Sequence, residues 1–187
     1  MEQLGEYSIP ASRELVWSAL NDPAVLRQCI DGCQRFDRIG DDEYATEVKA
    51  KVGPVSATFK GTVSLVDINP PRSYGLELAV NGAAAGFGRG AVSVTLTETP
   101  EGTLLKYAAA GTVGGKLAQI GQRLIDVAAR RTADRFFEMF AGLVEANQAE
   151  SEAEQPSGRA DTANSRRTRL AWGAGLALLL VAAFILL

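Results

Sequence analysis

Few side chains in this sequence are suited to nucleophilic or metal chemistry. The 187 residues include no histidine, which excludes Ser-His-Asp and Cys-His nucleophile systems, imidazole bases and histidine-ligated metals. Cys29 and Cys33 are the only cysteines, and with no further Cys or His they cannot complete a zinc site. A redox-active pair is one interpretation. Because the C-x3-C spacing differs from that of thioredoxins, structural thiols in a reducing compartment are favoured.

The other acid–base candidates are two aspartates and two tyrosines, Asp126, Asp134, Tyr74 and Tyr107. Both aspartates fall mostly on the polar side of a predicted helix, the side that faces solvent. Because histidine is missing and these groups are the only candidates, we expect that the chain is not an enzyme, and we assign no catalytic and no metal-binding residue.

Length and charge limit the classes of protein that remain. The chain has room for one domain of ordinary size and a short additional segment. A domain of about 150 residues buries roughly 68–70% of its unfolded surface, so it needs no disulfide or metal to fold. The formal net charge is −3. Binding to phosphate backbones requires a cationic surface, and we therefore expect no nucleic-acid partner.

The stretch from Gly114 to about Ala149 predicts one long amphipathic helix, about 50 Å in length. Its apolar stripe consists of Leu117, Gly121, Leu124, Ala128, Thr132, Phe136, Phe140 and Leu143. The stripe is large at both ends and small in the middle, at Gly121, Ala128 and Thr132. Two interpretations stay open: the helix packs closely on a sheet at these positions, or the sheet curls away and leaves an apolar cavity for a ligand.

In residues 34–113 apolar residues recur at every second position, whereas the preceding residues follow a helical period. Tyr44, Thr46 and Val48 alternate with Ala45, Glu47 and Lys49. Similar runs follow between turn signals, which is typical of antiparallel strands with one buried face. A short strand and two short helices precede this region. The predicted order is β-α-α-β-β-β-β-β-β-α. This is an α+β fold, with an antiparallel sheet packed against one long final helix.

A glycine-rich segment, residues 81–90, joins two of these strands. It lacks the GxGxxG spacing and is not followed by a helix, which argues against a nucleotide site. Gly86, Gly88 and Gly90 fall on one face, with Phe87 and Arg89 exposed on the other. A mobile hairpin at the mouth of a pocket and a plain flexible hairpin are the two interpretations.

The C-terminal part of the sequence predicts a membrane anchor. The predicted globular domain is residues 1–147, and polar residues 148–169 predict a disordered linker. Residues 170–187 contain no charge and, as a helix, span about 27 Å, close to the hydrocarbon thickness of a bilayer. By the positive-inside rule, Arg166, Arg167 and Arg169 lie on the cytoplasmic side, with Trp172 at the interface. We expect a single-pass protein of the cell membrane with a cytoplasmic globular domain; an in-plane helix or a helix docked on a partner is the alternative.

Several segments between residues 2 and 145 form a recognisable combination. They are Val16-Trp17 with Leu20, Asp22-Pro23 and Leu26; Cys29-Ile30-Asp31-Gly32-Cys33; Lys51-Val52-Gly53-Pro54-Val55 with Phe59 and Gly61; Pro70-Pro71 with Tyr74; the glycine-rich segment; and Gly114-Gly115-Lys116-Leu117-Ala118-Gln119-Ile120-Gly121. Together they resemble the CoxG family of carbon monoxide dehydrogenase proteins, within the START-like, or helix-grip (SRPBCC), superfamily. Asp31-Gly32 predicts a turn. At this turn Asp31 departs from the family pattern, which more often has Pro before the glycine.

The resemblance implies a curved seven-stranded sheet around the long helix, with an apolar cavity between them that in relatives is associated with a lipid-soluble quinone. Members of the family accompany molybdenum hydroxylases of the CO dehydrogenase type and link them to the membrane quinone pool. The residues that we expect to line the quinone pocket are Trp17, Phe59, Tyr74, Leu76, Phe87, Tyr107, Gly121, Leu124 and Ala128.

Three functions follow from these expectations. The first is a membrane-tethered protein that carries menaquinone or ubiquinone, bound without a covalent link, between the bilayer and a molybdenum hydroxylase. The second is membrane recruitment or assembly of that enzyme without any ligand chemistry. The third, in which Asp126, Asp134, Tyr74 or Tyr107 would act as acid or base, is an isomerase, cyclase or hydrolase of the kind found elsewhere in the superfamily.

Overall fold

Seven antiparallel strands and a long C-terminal helix make up the part of the chain that the computed structural model describes, residues 2–153. The strands are β1 (Glu2–Ile9), β2 (Cys33–Arg38), β3 (Glu43–Val52), β4 (Val55–Asn69), β5 (Ser73–Asn81), β6 (Phe87–Thr99) and β7 (Gly102–Gly114). The helices are α1 (Arg13–Leu20), α2 (Pro23–Cys29), α3 (Lys116–Gln119) and α4 (Gln122–Ala153), with a short 3₁₀ helix at Ala83–Ala85. The predicted α+β architecture is confirmed for these residues.

The strands form one curved sheet in the order β1-β7-β6-β5-β4-β3-β2. β2 to β7 follow each other as a meander, with β2 at one edge of the sheet. β1 forms the other edge by pairing with β7, from Glu2 opposite Ala110 to Ile9 opposite Thr103. The predicted alternation is confirmed in β5, where Tyr74, Leu76, Leu78 and Val80 are buried and the intervening residues are more exposed. One face of the sheet is therefore dry and packs against the helices.

α1 and α2 connect β1 to β2 and cover one end of this dry face. The Ser12 side chain accepts a hydrogen bond of 3.3 Å from the Leu15 amide, and the Asp22 side chain accepts one of 2.8 Å from the Ala24 amide. Each side chain satisfies an amide that has no partner inside its helix, which fixes where the helix begins. As a result, Val16 and Leu20 of α1 are fully buried in the core.

The final helix differs from the prediction at its start. We predicted one continuous helix from Gly114 to about Ala149, but β7 extends to Gly114, the four-residue α3 follows, and α4 begins only at Gln122. Gly121 separates α3 from α4 with φ at +89°, a left-handed conformation that interrupts the helix. α4 has 32 residues and extends to Ala153, beyond the predicted domain boundary at 147. The rest of the predicted linker and the anchor lie outside the described residues.

The break also changes which face of α4 is buried. The predicted stripe included Leu124, Ala128 and Thr132, but Leu124 is 52% exposed and the other two are only half-buried. In the first turns of α4 the buried stripe lies one position further along, at Ile125, Ala129 and Ala133, and it continues through Phe136, Phe137, Phe140 and Val144. The prediction is confirmed at Leu117, Phe136 and Phe140. It was wrong at Leu124, because it continued the helical phase through Gly121. The small residues that face the core are therefore Ala129 and Ala133.

The glycine-rich segment joins β5 to β6, as predicted, and the 3₁₀ helix forms its tip. Its last residues are part of β6, with Phe87 opposite Gly114 and Gly90 opposite Gly111. Phe87 and Arg89 are exposed, whereas Gly88 is buried, which confirms the predicted orientation of this strand. Among the helices within residues 2–153, none combines the length and the apolar composition needed to cross a bilayer.

Candidate ligand-binding cleft

An open cleft of about 590 Å³ separates β3 from α4. This volume lies within the range of roughly 300–1,000 Å³ that is typical of small-molecule sites. We call it the α4–β3 cleft; its walls are the loop after α2, β3 with the tip of the β3–β4 hairpin, and one face of α4. The lining residues are Asp31, Gly32, Val48, Lys49, Ala50, Lys51, Gly53, Leu124, Val127, Ala128, Arg131, Thr132 and Arg135.

The floor of the cleft is apolar. Val48 is buried and Ala50 is half-buried, because both lie on the dry face of β3. From α4, Leu124 is 52% exposed and Val127 is 60% exposed, and the half-buried Ala128 follows Val127 directly. Two large aliphatic side chains that stay mostly exposed beside a concave apolar floor provide contact area that the fold itself does not use.

One edge of the cleft carries the arginines of α4, Arg131 and Arg135. Lys49 and Lys51 border the cleft through β3, but their side chains alternate with Val48 and Ala50 and therefore point to the outer face of the sheet. Arg135 donates a hydrogen bond of 2.8 Å to the Asp31 carboxylate across the end of the cleft, an exposed ion pair that contributes about 0–1 kcal/mol to stability. Arg131 forms no ion pair with a carboxylate within residues 2–153. The cleft therefore combines an apolar floor with one unpaired arginine at its α4 edge.

The loop wall of the cleft depends on Gly32. This residue has φ at +73°, and its carbonyl oxygen accepts a hydrogen bond of 2.9 Å from the Lys49 amide. A Cβ at this position would overlap the Lys49 carbonyl oxygen. Only glycine lets the loop after α2 approach β3 this closely, so the turn predicted at Asp31-Gly32 is also what closes this side of the cleft.

Most of the predicted pocket residues lie in the core and do not line this cleft. Trp17, Phe59, Tyr74, Leu76 and Tyr107 are all buried. The rings of Trp17 and Tyr74 meet edge to face at 5.3 Å, the arrangement that aromatic pairs prefer in protein interiors. These residues lie in the core between the sheet and the helices. Their contact with a ligand stays a prediction.

The other predicted residues divide between the cleft and the surface. Leu124 and Ala128 line the cleft. Phe87 is 50% exposed at the start of β6, where its ring lies over Gly114. Gly121 is exposed at the break before α4. The predicted anchor residues Arg166, Arg167, Arg169 and Trp172 lie outside the described residues.

The sequence-based pocket missed several residues that line the cleft. Val48 and Ala50 were predicted to lie on the dry face of a strand, and that alternation was the available signal for them. On the final helix, Val127 was predicted to widen the apolar stripe and Arg131 to lie on the solvated side, and neither was assigned to the pocket. A pattern that begins at Gln122 places Leu124, Val127 and Arg131 on one face, at intervals of three and four.

The acid–base candidates do not form a site at the cleft. Asp126 accepts a hydrogen bond of 3.0 Å from Gln122, and Asp134 accepts one of 2.8 Å from the Tyr7 hydroxyl. Burial, more than any other effect, raises the pKa of Tyr107, which is stacked 6.3 Å from Tyr7. Tyr7, Tyr107 and Asp134 thus lie together, between β1, β7 and α4, and none of them lines the α4–β3 cleft.

The two cysteines are free thiols. Cys29 is buried and Cys33 is half-buried. Burial raises the pKa of Cys29 to about 12 and, as the largest effect, also raises the pKa of Cys33. Because the thiolate is the reactive form, both groups are poor nucleophiles near neutral pH, Cys29 most of all. No group of three or more possible metal ligands occurs within residues 2–153.

A curved antiparallel sheet that packs against a long C-terminal helix, with a cleft at the seam between them, defines a helix-grip protein of the START-like class. The chain belongs to the family described as the CoxG subunit of carbon monoxide dehydrogenase, whose model matches residues 5–144. A comparison with curated proteins found no match.

Solved structures with the same fold include a conserved protein from Geobacillus kaustophilus. It is 30% identical, with a TM-score of 0.75 over 79% of this chain and 97% of that chain. A protein from Mesorhizobium loti is 20% identical, with a TM-score of 0.57 over 78% and 98%. One from Mycobacterium smegmatis is 17% identical, with a TM-score of 0.58 over 78% and 92%. The last two show similarity of fold alone.

Proposed function

We propose that this protein carries a respiratory quinone between the cell membrane and a molybdenum hydroxylase of the CO dehydrogenase type. In this proposal the domain binds the quinone without a covalent link, residues 170–187 tether it to the bilayer as a single span, and the domain lies in the cytoplasm. The chain supplies no catalytic group. The α4–β3 cleft is the observation on which the proposal depends.

The chemistry of the cleft suits a quinone in two respects. A quinone with an isoprenoid tail gains about 0.8 kcal/mol per buried CH₂ group, and Leu124, Val127 and Val48 provide aliphatic surface for such contacts. The head group needs only one or two hydrogen-bond donors, and Arg131 at the α4 edge of the cleft could supply them. Menaquinone and ubiquinone share these features, so the cleft favours neither of them.

The partner enzyme is proposed from the family. The family name is that of a component of carbon monoxide dehydrogenase, and this chain matches the family model over residues 5–144. An accessory role beside such an enzyme is consistent with a domain whose acid–base candidates do not meet in the cleft.

Recruitment of the enzyme to the membrane without a ligand is the second candidate function. The observation that favours it is the filled core: Trp17, Phe59, Tyr74 and Tyr107, proposed to contact the quinone, are all buried among other side chains. A long apolar tunnel through the domain would require some of them to move, whereas recruitment needs only the surface of the domain.

Extraction of the purified full-length protein distinguishes these two candidates. The protein is isolated from membranes in mild detergent and extracted with organic solvent, and the extract is analysed for quinones by absorbance and mass. The emptied protein is then titrated with a short-chain quinone in a calorimeter. We expect about one quinone per chain and saturable rebinding. A protein that yields no quinone and binds none of the added compound would favour recruitment.

A further inference from the structure

We propose that the α4–β3 cleft continues beneath the Asp31–Arg135 ion pair into a second pocket, which binds the distal part of an isoprenoid tail. The inference deepens the proposed function and rests on it, since it states where a tail that is longer than the cleft is bound. It makes the length of the tail a determinant of specificity, and it gives the ion pair the role of a clasp over the bound chain.

The second pocket lies between the end of α2 and α4 and has a volume of about 280 Å³. We call it the α2–α4 pocket. Cys29, Ile30 and Phe136 in its lining are buried, and Met139 is 50% exposed. The exposed Glu138 completes one side. Thiol, aliphatic, aromatic and thioether groups form an adaptable apolar surface, so the pocket suits a hydrocarbon chain better than a polar head group.

The cleft and the α2–α4 pocket are continuous, because Asp31, Thr132 and Arg135 line both of them. A single row of residues forms the α4 wall of the two: Leu124, Ala128, Thr132, Arg135 and Met139. Successive members are three or four positions apart, which places them on one side of the helix. The row is about 22 Å long. Its two ends, Leu124 and Met139, are 52% and 50% exposed, and they flank the smaller Ala128 and Thr132. A chain bound in the cleft can therefore follow α4 into the second pocket.

The Asp31–Arg135 ion pair spans the point where the cleft meets the α2–α4 pocket. Arg135 donates a hydrogen bond of 2.8 Å to the Asp31 carboxylate, and the two side chains are 56% and 79% exposed, so their charges stay in contact with water. The methylene groups of an arginine can cover apolar surface while its guanidinium remains solvated. Thr132, which is half-buried on the same side of α4, leaves room beneath the pair. The pair therefore covers a bound chain without placing a charge in its path.

The loop that carries Asp31 is held in place by the next residue. The Gly32 carbonyl oxygen accepts a hydrogen bond of 2.9 Å from the Lys49 amide, and the close approach of Gly32 to β3 fixes the backbone there. The clasp therefore opens by rotation of the Asp31 and Arg135 side chains, and the loop itself stays in place. Exposed ion pairs are weak, so a tail can enter the α2–α4 pocket without disturbing the fold.

Tail length tests the proposal in the full-length protein in mild detergent, by calorimetric titration with ubiquinones of short and long tails. Met139→Trp narrows the α2–α4 pocket. We expect it to lower the affinity for a long-tailed ubiquinone about tenfold, the contribution of about two buried CH₂ groups, and to leave the affinity for ubiquinone with a single isoprene unit unchanged. Each affinity is compared with that of the unaltered protein in the same detergent, so that partition into micelles cancels. The matched control is Gly142→Trp, which should change neither affinity: position 142 is exposed on α4, lines neither pocket, and a Cβ there meets no atom within 4 Å.

Removal of the clasp should act on the same ligand. Asp31→Ala should lower the affinity for the long-tailed ubiquinone about two- to fivefold, as expected for an exposed ion pair, and leave that for the short-tailed one unchanged. Asp37→Ala, which breaks the exposed pair between Asp37 and Arg35, should affect neither. Equal changes for the two ubiquinones in Met139→Trp, or no change for the long-tailed one, would overturn the proposal and leave the carrier function intact. An unaltered protein that binds neither ubiquinone would overturn the carrier function as well.

Discussion

The Tyr7 hydroxyl donates a hydrogen bond of 2.8 Å to the Asp134 carboxylate, which joins the first strand to the final helix. The Tyr7 ring also stacks on Phe137, with ring centroids 3.8 Å apart. Burial, and next the bond to Asp134, raise the pKa of Tyr7 above its ordinary value of 10.0.

Replacement of Tyr7 by Phe should keep the stacking and remove the hydrogen bond. We expect a loss of about 1 kcal/mol in the free energy of unfolding at neutral pH, measured by urea denaturation. The matched control is Tyr107→Phe, whose ring stays in the core without a direct bond to Asp134. If Tyr7→Phe is as stable as the unaltered protein, the bond to Asp134 does not contribute.

The same residue should make stability depend on alkaline pH. Because the folded state holds the Tyr7 proton more tightly than the unfolded state does, its contribution is fully present below about pH 10 and is lost as the pH rises above that value. The unaltered protein should therefore lose stability more steeply above pH 10 than Tyr7→Phe does. Parallel curves would show that Tyr7 titrates alike in both states.

Ala128 and Ala129 are adjacent in sequence but should respond differently to enlargement. Ala128 is half-buried and lines the α4–β3 cleft, whereas Ala129 is fully buried against the sheet. Ala128→Phe should abolish quinone binding with little change in melting temperature, while Ala129→Phe should destabilise the fold by about 1–3 kcal/mol. Calorimetric titration and thermal denaturation measure the two effects. A comparable loss of stability in both variants would mean that position 128 is closely packed.

Gly32 and Gly53 provide a matched pair at the cleft. Both have positive φ, +73° and +55°, so alanine is strained at each by roughly 1–2 kcal/mol. At Gly32 the new Cβ would also overlap the Lys49 carbonyl oxygen, whereas at Gly53 it would meet no atom within 4 Å. Gly32→Ala should therefore lower stability clearly more than Gly53→Ala in chemical denaturation. Equal losses would show that the loop can move away from β3 at little cost.

The two thiols should react with iodoacetamide at different rates. Cys29 is buried, with its pKa raised to about 12, whereas Cys33 is half-buried. We expect that Cys33 is alkylated within the folded protein at pH 8 and that Cys29 reacts only on unfolding. Mass spectrometry of the modified peptides measures both, with Cys33→Ser as the control. Rapid modification of Cys29 in the native protein would mean that α2 opens readily.

The strands could be predicted from the sequence because their signal is local. Tyr74, Leu76, Leu78 and Val80 alternate with more exposed residues, and this alternation alone places them on the buried face. Turn signals between the alternating runs marked the ends of the strands in the same way. Information of this kind does not depend on the rest of the fold.

The phase of the final helix could not be predicted because it depends on tertiary structure. Gly121 is compatible with a helix interior and with a left-handed break, and the turn from β7 into α4 decides between them. With the wrong phase, Leu124 was placed on the buried stripe, although it is 52% exposed. The sequence therefore indicated a site between the helix and the sheet, and the contact of the predicted pocket residues with a ligand stays a prediction.

The pairing of β1 with β7 has a consequence for how the protein forms. Glu2 lies opposite Ala110, so the first strand emerges from the ribosome long before its partner exists. Contacts of such long sequence separation slow folding, and the early strand stays without its neighbour during synthesis. We therefore expect that the domain acquires its native structure only after translation of α4, and that a nascent chain stopped before residue 110 is open to proteases throughout its length.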